Sequence, residues 1–456
     1  MPSRDLTQGS VTRSLAQLTA PMMMGVSSSI LVQTLELGFI GQLGTEQVAA
    51  VSFTFPLVMV LSSIALGISI GTSSVIARSV GVHRQAEPDS SPRAPAASDE
   101  VARLGTHSLI LVAVTMTVLS LLCWLMIDPL FLAMGAEPSL LPLIHSYLDI
   151  YLPGSILFTL AMVAGSIMRA NGRAAIPGVI MTVGAAFNLA LDPFLIFGWV
   201  GFPALGLAGA ATAITVARFF TLCALLWYVY QGSMIQLERP FWGWLASAQR
   251  ILHVGIPAIA TNLIGPITSA YITFLIAGYG AAAVAGFGVA SRIEAVAAML
   301  MFALSGSIGP FVGQNWGAKQ AARVKAGVRA SYLFCLIYGV IVTLPLAFFG
   351  ATIAGWMESS VEAVAVAAAY LSIVPLSYGL WGVLMMSSAS FNALGKPLPS
   401  TALSFGRMLV LYVPLATMLN EQMGYTGIFL ATLISNVVFG LLGWRWFATK
   451  ITSMTP

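Results

Sequence analysis

Long apolar segments follow one another along almost the whole chain, and they restrict its fold more than any other feature. Only 8% of the 456 residues are charged, whereas a soluble domain carries about 25% and needs them to solvate its surface. A membrane-spanning helix requires about 20 consecutive apolar residues. The segments that meet this length are 15–41, 48–77, 105–135, 142–168, 174–199, 204–231, 250–279, 282–312, 326–356, 362–391, 398–419 and 424–448. We therefore predict that lipid surrounds the chain.

These segments are predicted to be helices rather than strands. They are longer than the strands of a membrane barrel, which need about 10 residues, and they lack the alternation of polar and apolar residues that a barrel requires. Inside lipid every backbone polar group needs a partner, and a helix supplies those partners within the segment. The predicted fold class is an all-α integral membrane protein with twelve transmembrane helices.

The positive charges lie on one side of the predicted membrane. Lys and Arg occur in the connections on the side of the N-terminus, whereas the opposite connections contain acids and no Lys or Arg. Those acids are Glu46, Glu137, Glu358 and Glu421. Because loops that carry Lys and Arg remain in the cytoplasm, both termini are predicted to be cytoplasmic. We expect a multi-pass protein of the plasma membrane, which is the inner membrane of a bacterium.

The segment 82–104 is the one long polar stretch between the predicted helices. Its Pro, Ser and Ala residues and its mixed charges predict a flexible cytoplasmic loop. A regulatory role and a tolerated insertion both remain open for it.

The two halves of the chain repeat each other. Three pairs of residues share a separation of 236 positions, and they are Pro21 with Pro257, Gly44 with Gly280, and Gly81 with Gly317. Each half holds six predicted helices, so the copies run in the same direction and a pseudo-two-fold axis along the membrane normal relates them. The predicted domains are an N-terminal six-helix lobe, 1–235, and a C-terminal six-helix lobe, 236–456. Transporters built from two such bundles bind substrate between them, and the repeat therefore favours transport.

Two acids lie inside predicted helices of the N-terminal lobe, where an ionisable side chain is costly. Glu36 and Asp192 both precede the outer end of a helix that runs outward, at a depth of roughly 8–10 Å. Asn188 lies one turn before Asp192 on the same face, and Pro193 should kink that helix and free a carbonyl group. Burial and a neighbouring carboxylate both favour the protonated acid. We therefore predict a pocket of Glu36, Asp192 and Asn188 that binds the coupling cation and the substrate.

Other interpretations of these charges remain open. Glu36 would also suit a position beside lipid headgroups, and Asp192 would suit a structural cap or an ion pair. Arg218, in the sixth predicted helix, is the candidate partner for a structural pair with either acid. Four further charged residues inside predicted helices are secondary candidates, for a structural or a functional role: Arg218, Arg292, Glu294 and Arg407.

Several runs of residues resemble the multidrug and toxic compound extrusion (MATE) family over nearly the whole chain. The family's first span and loop are similar to 21–56, PMMMGVSSSILVQTLELGFIGQLGTEQVAAVSFTFP. Its second span is similar to 65–81, ALGISIGTSSVIARSVG, and its fifth to part of 168–198, MRANGRAAIPGVIMTVGAAFNLALDPFLIFG. Its eighth span is similar to 291–318, SRIEAVAAMLMFALSGSIGPFVGQNWGA. The resemblance implies a membrane transporter that moves organic compounds outward in exchange for H⁺ or Na⁺.

Within this family the chain is similar to the DinF-like branch, in which the N-terminal lobe carries the cation and substrate chemistry. The resemblance places that role on Asp192 and Asn188, and Glu36 stands where the branch usually has an aspartate. Val32 stands where a tyrosine often precedes that acid by one turn. The acids that the other branch carries in spans seven and ten have no counterpart, which argues against a cation site of that kind. The resemblance implies a multidrug efflux antiporter that exports amphipathic, mostly cationic compounds by rocker-switch alternating access, with H⁺ favoured and Na⁺ kept open.

A lipid-linked saccharide flippase of the same superfamily is the alternative function. Such flippases need basic residues for the pyrophosphate, and Arg218, Arg292 and Arg407 would suit this role. An enzyme is not expected, because no set of nucleophile, metal ligands or acid and base is recognised. No metal or cofactor beyond the coupling ion is expected. The expected partners are small-molecule drugs or toxins and the lipid bilayer rather than nucleic acid, and the protein is expected to be a monomer.

Overall fold

The computed structural model describes residues 5–86, 99–238 and 240–453, and within these ranges it contains helices and no β-strand. The α-helices, numbered in chain order, are α1 Val11–Gly41, α2 Thr45–Ala86, α3 Asp99–Leu125, α4 Ile127–Ala133, α5 Leu141–Ala170, α6 Ala175–Phe197, α7 Leu207–Gln231, α8 Trp244–Ala277, α9 Ala281–Gly317, α10 Ala321–Gly355, α11 Val361–Ile373, α12 Tyr378–Ala393, α13 Pro397–Phe405, α14 Val413–Met423 and α15 Tyr425–Ser453. A π-helical segment, Gly406–Tyr412, joins α13 to α14.

In the described ranges, 12 helical stretches are long and apolar enough to cross a membrane. The short helix α4 is not among them, α11 and α12 together form the tenth, and α13 and α14 together form the eleventh. A 3-10 turn with Pro375 separates α11 from α12, because proline lacks the N–H group that a continuous α-helix needs. The prediction of an all-α membrane fold with twelve transmembrane helices is confirmed.

Two helices extend further into the predicted cytoplasmic loop than expected. α2 continues through Ala86 and α3 begins at Asp99, so both ends of the predicted loop 82–104 are helical rather than irregular. The middle of that loop, 87–98, lies outside the described residues. Polar residues can prolong a helix beyond the apolar stretch, and hydropathy alone does not mark where such a helix ends.

The helices form two compact units. The first includes Ala20–Ile259, and the second includes Leu6–Thr19 and the chain from Ala260 onward. The limits of these units lie inside α1 and α8. The predicted lobes, 1–235 and 236–456, instead meet at the connection between the sixth and seventh spans. The lobe limits therefore stay a prediction.

One glycine contact recurs in both units and supports the internal repeat. A Cβ atom added at Gly209, in the first turn of α7, would clash with the carbonyl group of Leu195 in α6. In the second unit, a Cβ atom added at Gly427 in α15 would clash with the carbonyl group of Leu419 in α14. In each unit, glycine thus lets the helix after a short connection pack directly on the backbone of the helix before it.

The contact at Gly209 predicts a stability effect. Gly209→Ala forces α7 away from a backbone group that cannot rotate aside, so it should lower the free energy of unfolding by about 1–3 kcal/mol. Thermal unfolding of the purified protein in detergent measures this as a lower Tm. The control is Gly288→Ala in α9, where an added Cβ meets nothing within 4 Å and the better helix propensity of alanine should keep or raise Tm. Equal Tm values for the two variants would contradict this account of the packing.

Candidate functional site

In the first unit, α1 and α6 each bury one narrow stripe of side chains near the end that is predicted to be outer. Residues on a stripe are four positions apart and therefore share a helix face. The stripes are Val32, Glu36 and Ile40 on α1, and Asn188, Asp192 and Ile196 on α6. The acid is thus the central residue of the buried stripe in both helices.

The two acids lie at matching positions along their helices. Glu36 is 7% exposed and Asp192 is 0% exposed, and each lies five residues before the end of its helix, which is about 7.5 Å along the axis. The helices approach each other further down, where a Cβ atom added at Gly25 would lie 3.6 Å from the carbonyl oxygen of Gly178. From that contact, Glu36 is eleven residues onward in α1 and Asp192 is fourteen onward in α6. Glu36 and Asp192 are consequently close enough to interact electrostatically.

The polar groups of α6 leave hydrogen-bonding capacity unused. Nδ2 of Asn188 donates to Oδ2 of Asp192 over 3.4 Å. Oδ1 of Asn188 and Oδ1 of Asp192 are buried and have no partner among the described residues. Leaving a buried acceptor unpaired costs about 1–3 kcal/mol. Such a site gains free energy when a proton or a cation reaches it.

Aromatic rings lie between these acids and the predicted outer ends of the helices. The rings of Phe39 and Phe197 meet edge to face with centroids 6.1 Å apart, and Trp199 adds a third ring 6.5 Å from Phe197. Phe39 precedes Ile40 in α1, and Phe197 follows Ile196 in α6. These three rings connect the two helices just beyond the acids and cover that side of the site with apolar surface.

Two tyrosines of α5 belong to the same group, and the sequence analysis did not identify them. Tyr147 and Tyr151 are both buried, and their rings stack with centroids 5.4 Å apart. Tyr147 lies close enough to Glu36 and Asp192 to interact electrostatically with both. The available signal was the run YLDIYLPG, in which two tyrosines one helical turn apart lie in the outer part of a span.

Arg218 of α7 is close to the acids but is held by other groups. Its guanidinium lies over the ring of Tyr151 at 4.7 Å and over the ring of Phe158 at 4.9 Å, and Nη2 donates to the hydroxyl of Tyr151 over 3.4 Å. It interacts electrostatically with Glu36, yet it forms no salt bridge with Glu36 or Asp192 in the described part of the chain. The alternative of a structural ion pair for Asp192 therefore does not fit. The burial of Glu36 likewise does not fit a position among lipid headgroups.

In the second unit, Glu294 is surrounded by donors. Its Oε2 accepts hydrogen bonds from the hydroxyls of Tyr370 and Tyr378, and it interacts electrostatically with Arg407. Both tyrosines are buried. Glu294 therefore has the partners that Asp192 lacks.

Arg407 lies in the π-helical segment and continues this network. Its Nη1 donates to Oδ1 of Asn436 over 2.8 Å, and Nδ2 of Asn436 donates to Ser377 over 2.9 Å. Arg292, two residues before Glu294, is exposed instead. The structure thus brings Glu294 and Arg407 together and leaves Arg292 apart from them.

A serine in α2 matches the spacing of a hydrolase nucleophile, but its surroundings are those of a packing residue. The run 67–71, GISIG, has the pattern GxSxG, which needs a sharp strand-to-helix turn to expose the serine. Here the run lies inside α2, and Ser69 is buried and hydrogen-bonded to Ser166. Gly67 and Gly71 give room for the backbone of α8.

The network of Glu294 predicts a structural role for this acid. Glu294→Gln removes the charge that two tyrosine hydroxyls and Arg407 face, and hydrogen bonds to a charged group contribute about 1.5–3 kcal/mol each. We expect a lower Tm in detergent and unchanged dependence of transport on the coupling ion. Glu421→Gln, at an exposed acid of α14, is the control and should leave Tm unchanged. Loss of ion coupling in Glu294→Gln without loss of stability would overturn this interpretation.

Comparison with known proteins gives matches over almost the full length. The MatE family model matches residues 21–93, 96–194 and 257–418. A protein of Shewanella oneidensis named FAD transporter is 33% identical over 440 residues, which cover 96% of this chain and 94% of that protein. A protein of Bacillus subtilis named probable multidrug resistance protein YoeA is 24% identical over 460 residues, which cover 98% of this chain and 96% of that protein.

A solved structure agrees with these matches. A crystal structure of a mutant of the MATE transporter VcmN from Vibrio cholerae has a TM-score of 0.91 and 29% identity to this chain. The superposition covers 97% of both chains. Both halves of that protein therefore have a counterpart here.

Proposed function

Because this chain belongs to the multidrug and toxic compound extrusion (MATE) family of membrane transporters, we propose that it exports amphipathic organic compounds, mostly cations, in exchange for protons that move inward. The observation that carries this proposal is the buried pair of Glu36 and Asp192. Each of the two carboxylates is buried five residues before the end of its helix, and Oδ1 of Asp192 has no hydrogen-bond partner among the described residues. Such a pair can exchange a proton for a cationic substrate.

In the proposed cycle, a cationic substrate enters from the cytoplasm and is held by the ionised pair. A proton from outside then neutralises an acid, and the substrate leaves because its counter-charge is gone. Asn188 keeps Asp192 in place through its Nδ2 donor. The protonated transporter returns to the inward-open state by alternating access, and the proton leaves to the cytoplasm. The orientation with both termini in the cytoplasm and the location in an inner membrane are part of the proposal.

Sodium is the second candidate for the coupling ion. The carboxylate of Glu36, Oδ1 of Asp192 and Oδ1 of Asn188 are oxygen atoms, and hard cations bind to oxygen ligands. Sodium needs several oxygens at fixed distances, whereas a proton needs one. One carboxylate oxygen of the Glu36 and Asp192 pair is enough to bind a proton, and we therefore rank H⁺ above Na⁺ as the coupling ion.

The flippase alternative loses support from the positions of the arginines. Arg218 stacks on two aromatic rings and Arg407 donates to Asn436, so each guanidinium is held in part by groups of the protein itself. Of the three basic residues, Arg292 has the exposed side chain.

Substitution of either acid should abolish coupled transport. Glu36→Gln and Asp192→Asn keep shape but remove the charge that holds the substrate and takes the proton, so we expect at least about a tenfold loss. Drug-induced pH change in proteoliposomes with an imposed proton gradient and without Na⁺ measures this. Glu46→Gln, at an exposed acid after α1, is the matched control and should transport normally. Transport that persists in both variants, or that requires Na⁺, would contradict a proton-coupled site at this pair.

A flavin dinucleotide is a second candidate substrate, because the Shewanella relative that is 33% identical is named FAD transporter. Its diphosphate would need a basic partner, and Arg292 offers an exposed guanidinium eleven residues into α9, which is about 16 Å along the helix. Arginine binds phosphate oxygens in a bidentate way. Arg292 is therefore the candidate for flavin recognition.

Arg292→Gln should reduce FAD export several-fold and leave export of ethidium, a monovalent cation, unchanged. Loss of one charge-assisted pair with phosphate explains the direction and the size. Uptake of FAD into inverted vesicles, compared with uptake of ethidium in the same vesicles, provides the measurement. FAD that is neither transported nor able to compete with ethidium would exclude this second candidate.

A further inference from the structure

Arg218 has no role in the proton exchange proposed above, although its helix α7 packs at Gly209 on Leu195 of α6, three residues from Asp192. It comes from α7, whereas Glu36 comes from α1 and Asp192 from α6. It interacts electrostatically with Glu36 and with Tyr147. A permanent positive charge at this place changes the net charge of the site.

The fold places this arginine by close packing of α7 on its neighbours. A Cβ atom added at Gly154 in α5 would clash with the side chain of Thr215 in α7. The two helices are the fourth and sixth spans and therefore run in the same direction; Phe158 is four residues after Gly154, and Arg218 is three residues after Thr215. The helix contact thus brings Arg218 to the level of Phe158, and its side chain reaches back to the ring of Tyr151.

The guanidinium is held by rings and not by carboxylates. Its CZ atom lies 4.7 Å from the centroid of Tyr151 and 4.9 Å from that of Phe158, and such contacts contribute most where water is excluded. Its Nη1 is buried and has no partner among the described residues. Because no salt bridge uses its charge, the guanidinium acts on the acids through space.

We infer that Arg218 is a fixed counter-ion of Glu36 and Asp192, so that the site carries one net negative charge and accepts one positive charge at a time. This rests on the proposed exchange at the acid pair. The groups that face the site are Glu36 from α1, Asp192 from α6, Tyr147 and Tyr151 from α5, and Arg218 from α7. Phenol groups are neutral at physiological pH, and the sum is two negative charges and one positive.

The net charge of the site determines which substrates it can bind. A proton or a monovalent cation neutralises the site, whereas a divalent cation leaves an excess positive charge in a region with little water. Exchange of one proton for one monovalent cation moves no net charge across the membrane. Removal of Arg218 leaves two negative charges, and the site should then favour a divalent cation.

Ethidium and propidium test this directly, since they share one ring system and carry one and two positive charges. Binding is measured by fluorescence on purified protein in detergent at alkaline pH, together with protons released per ligand at lower pH in weak buffer. The wild type should prefer ethidium and release one proton. Arg218→Gln should shift the preference towards propidium by about tenfold or more, and propidium should then release two protons. Arg218→Lys keeps the charge and should retain the wild-type preference.

Two further variants give the site the same net charges, minus two and minus one, through other substitutions. Asn188→Asp leaves Arg218 intact and adds a negative charge, so it should also shift the preference towards propidium, even if Arg218→Gln fails to fold. The double variant Glu36→Gln with Arg218→Gln restores one net negative charge, and it should regain ethidium binding that Glu36→Gln alone loses.

Preference and proton count that stay unchanged in folded Arg218→Gln, or in Asn188→Asp, would overturn the counter-ion role. Failure of the double variant to recover ethidium binding would do the same. A wild type that binds ethidium without releasing any proton is a different result, because it would overturn the proton exchange itself.

Discussion

A carboxylate without water around it must find a partner or take up a proton, and this constraint shapes the first unit. Ionised groups inside lipid-surrounded helices are costly, yet Glu36 and Asp192 are both buried. Packing of α1 on α6 at Gly25 and of α7 on α6 at Gly209 keeps their helices in place. Rigid helix contacts therefore hold the acids in place, and no direct salt bridge to either acid is found among the described residues.

The acids inside the helices of the two units have different surroundings. Glu294 accepts from two tyrosine hydroxyls and faces Arg407, while Asp192 receives one long hydrogen bond from Asn188. A satisfied acid stabilises one arrangement of helices, whereas an unsatisfied acid responds to whatever reaches it. The contacts of Gly209 and Gly427 thus recur in both units, whereas the acid with an unpaired oxygen atom, Asp192, lies in the first.

The sequence predicted the parts of this structure that depend on local pattern. Twelve apolar runs predicted twelve spans, and counting along two of them predicted the shared depth of Glu36 and Asp192, because helical rise is constant. The four-residue spacing likewise predicted that Asn188 shares a face with Asp192. The sequence did not predict the extension of α2 to Ala86, because polar residues can continue a helix without a hydropathy signal.

Contacts between helices distant in sequence were not accessible in the same way. Tyr147 lies near the acids of α1 and α6 through packing between helices, and no pattern within α5 specifies which helices are its neighbours. The surroundings of Arg218 depend on the same kind of contact. An ion pair with Glu36 or Asp192 was one alternative because the charges are opposite, whereas two rings on one face of α5 hold the guanidinium.

The anchoring of the Arg218 guanidinium by aromatic rings has a consequence for the movement of this side chain. An arginine that is paired with a carboxylate loses that ion pair when the carboxylate is protonated, and its side chain must then rearrange to form the pair again. The rings of Tyr151 and Phe158 hold the guanidinium without either carboxylate, so neutralising an acid leaves these contacts in place. The proton exchange that we propose would then require no rearrangement of a long flexible side chain.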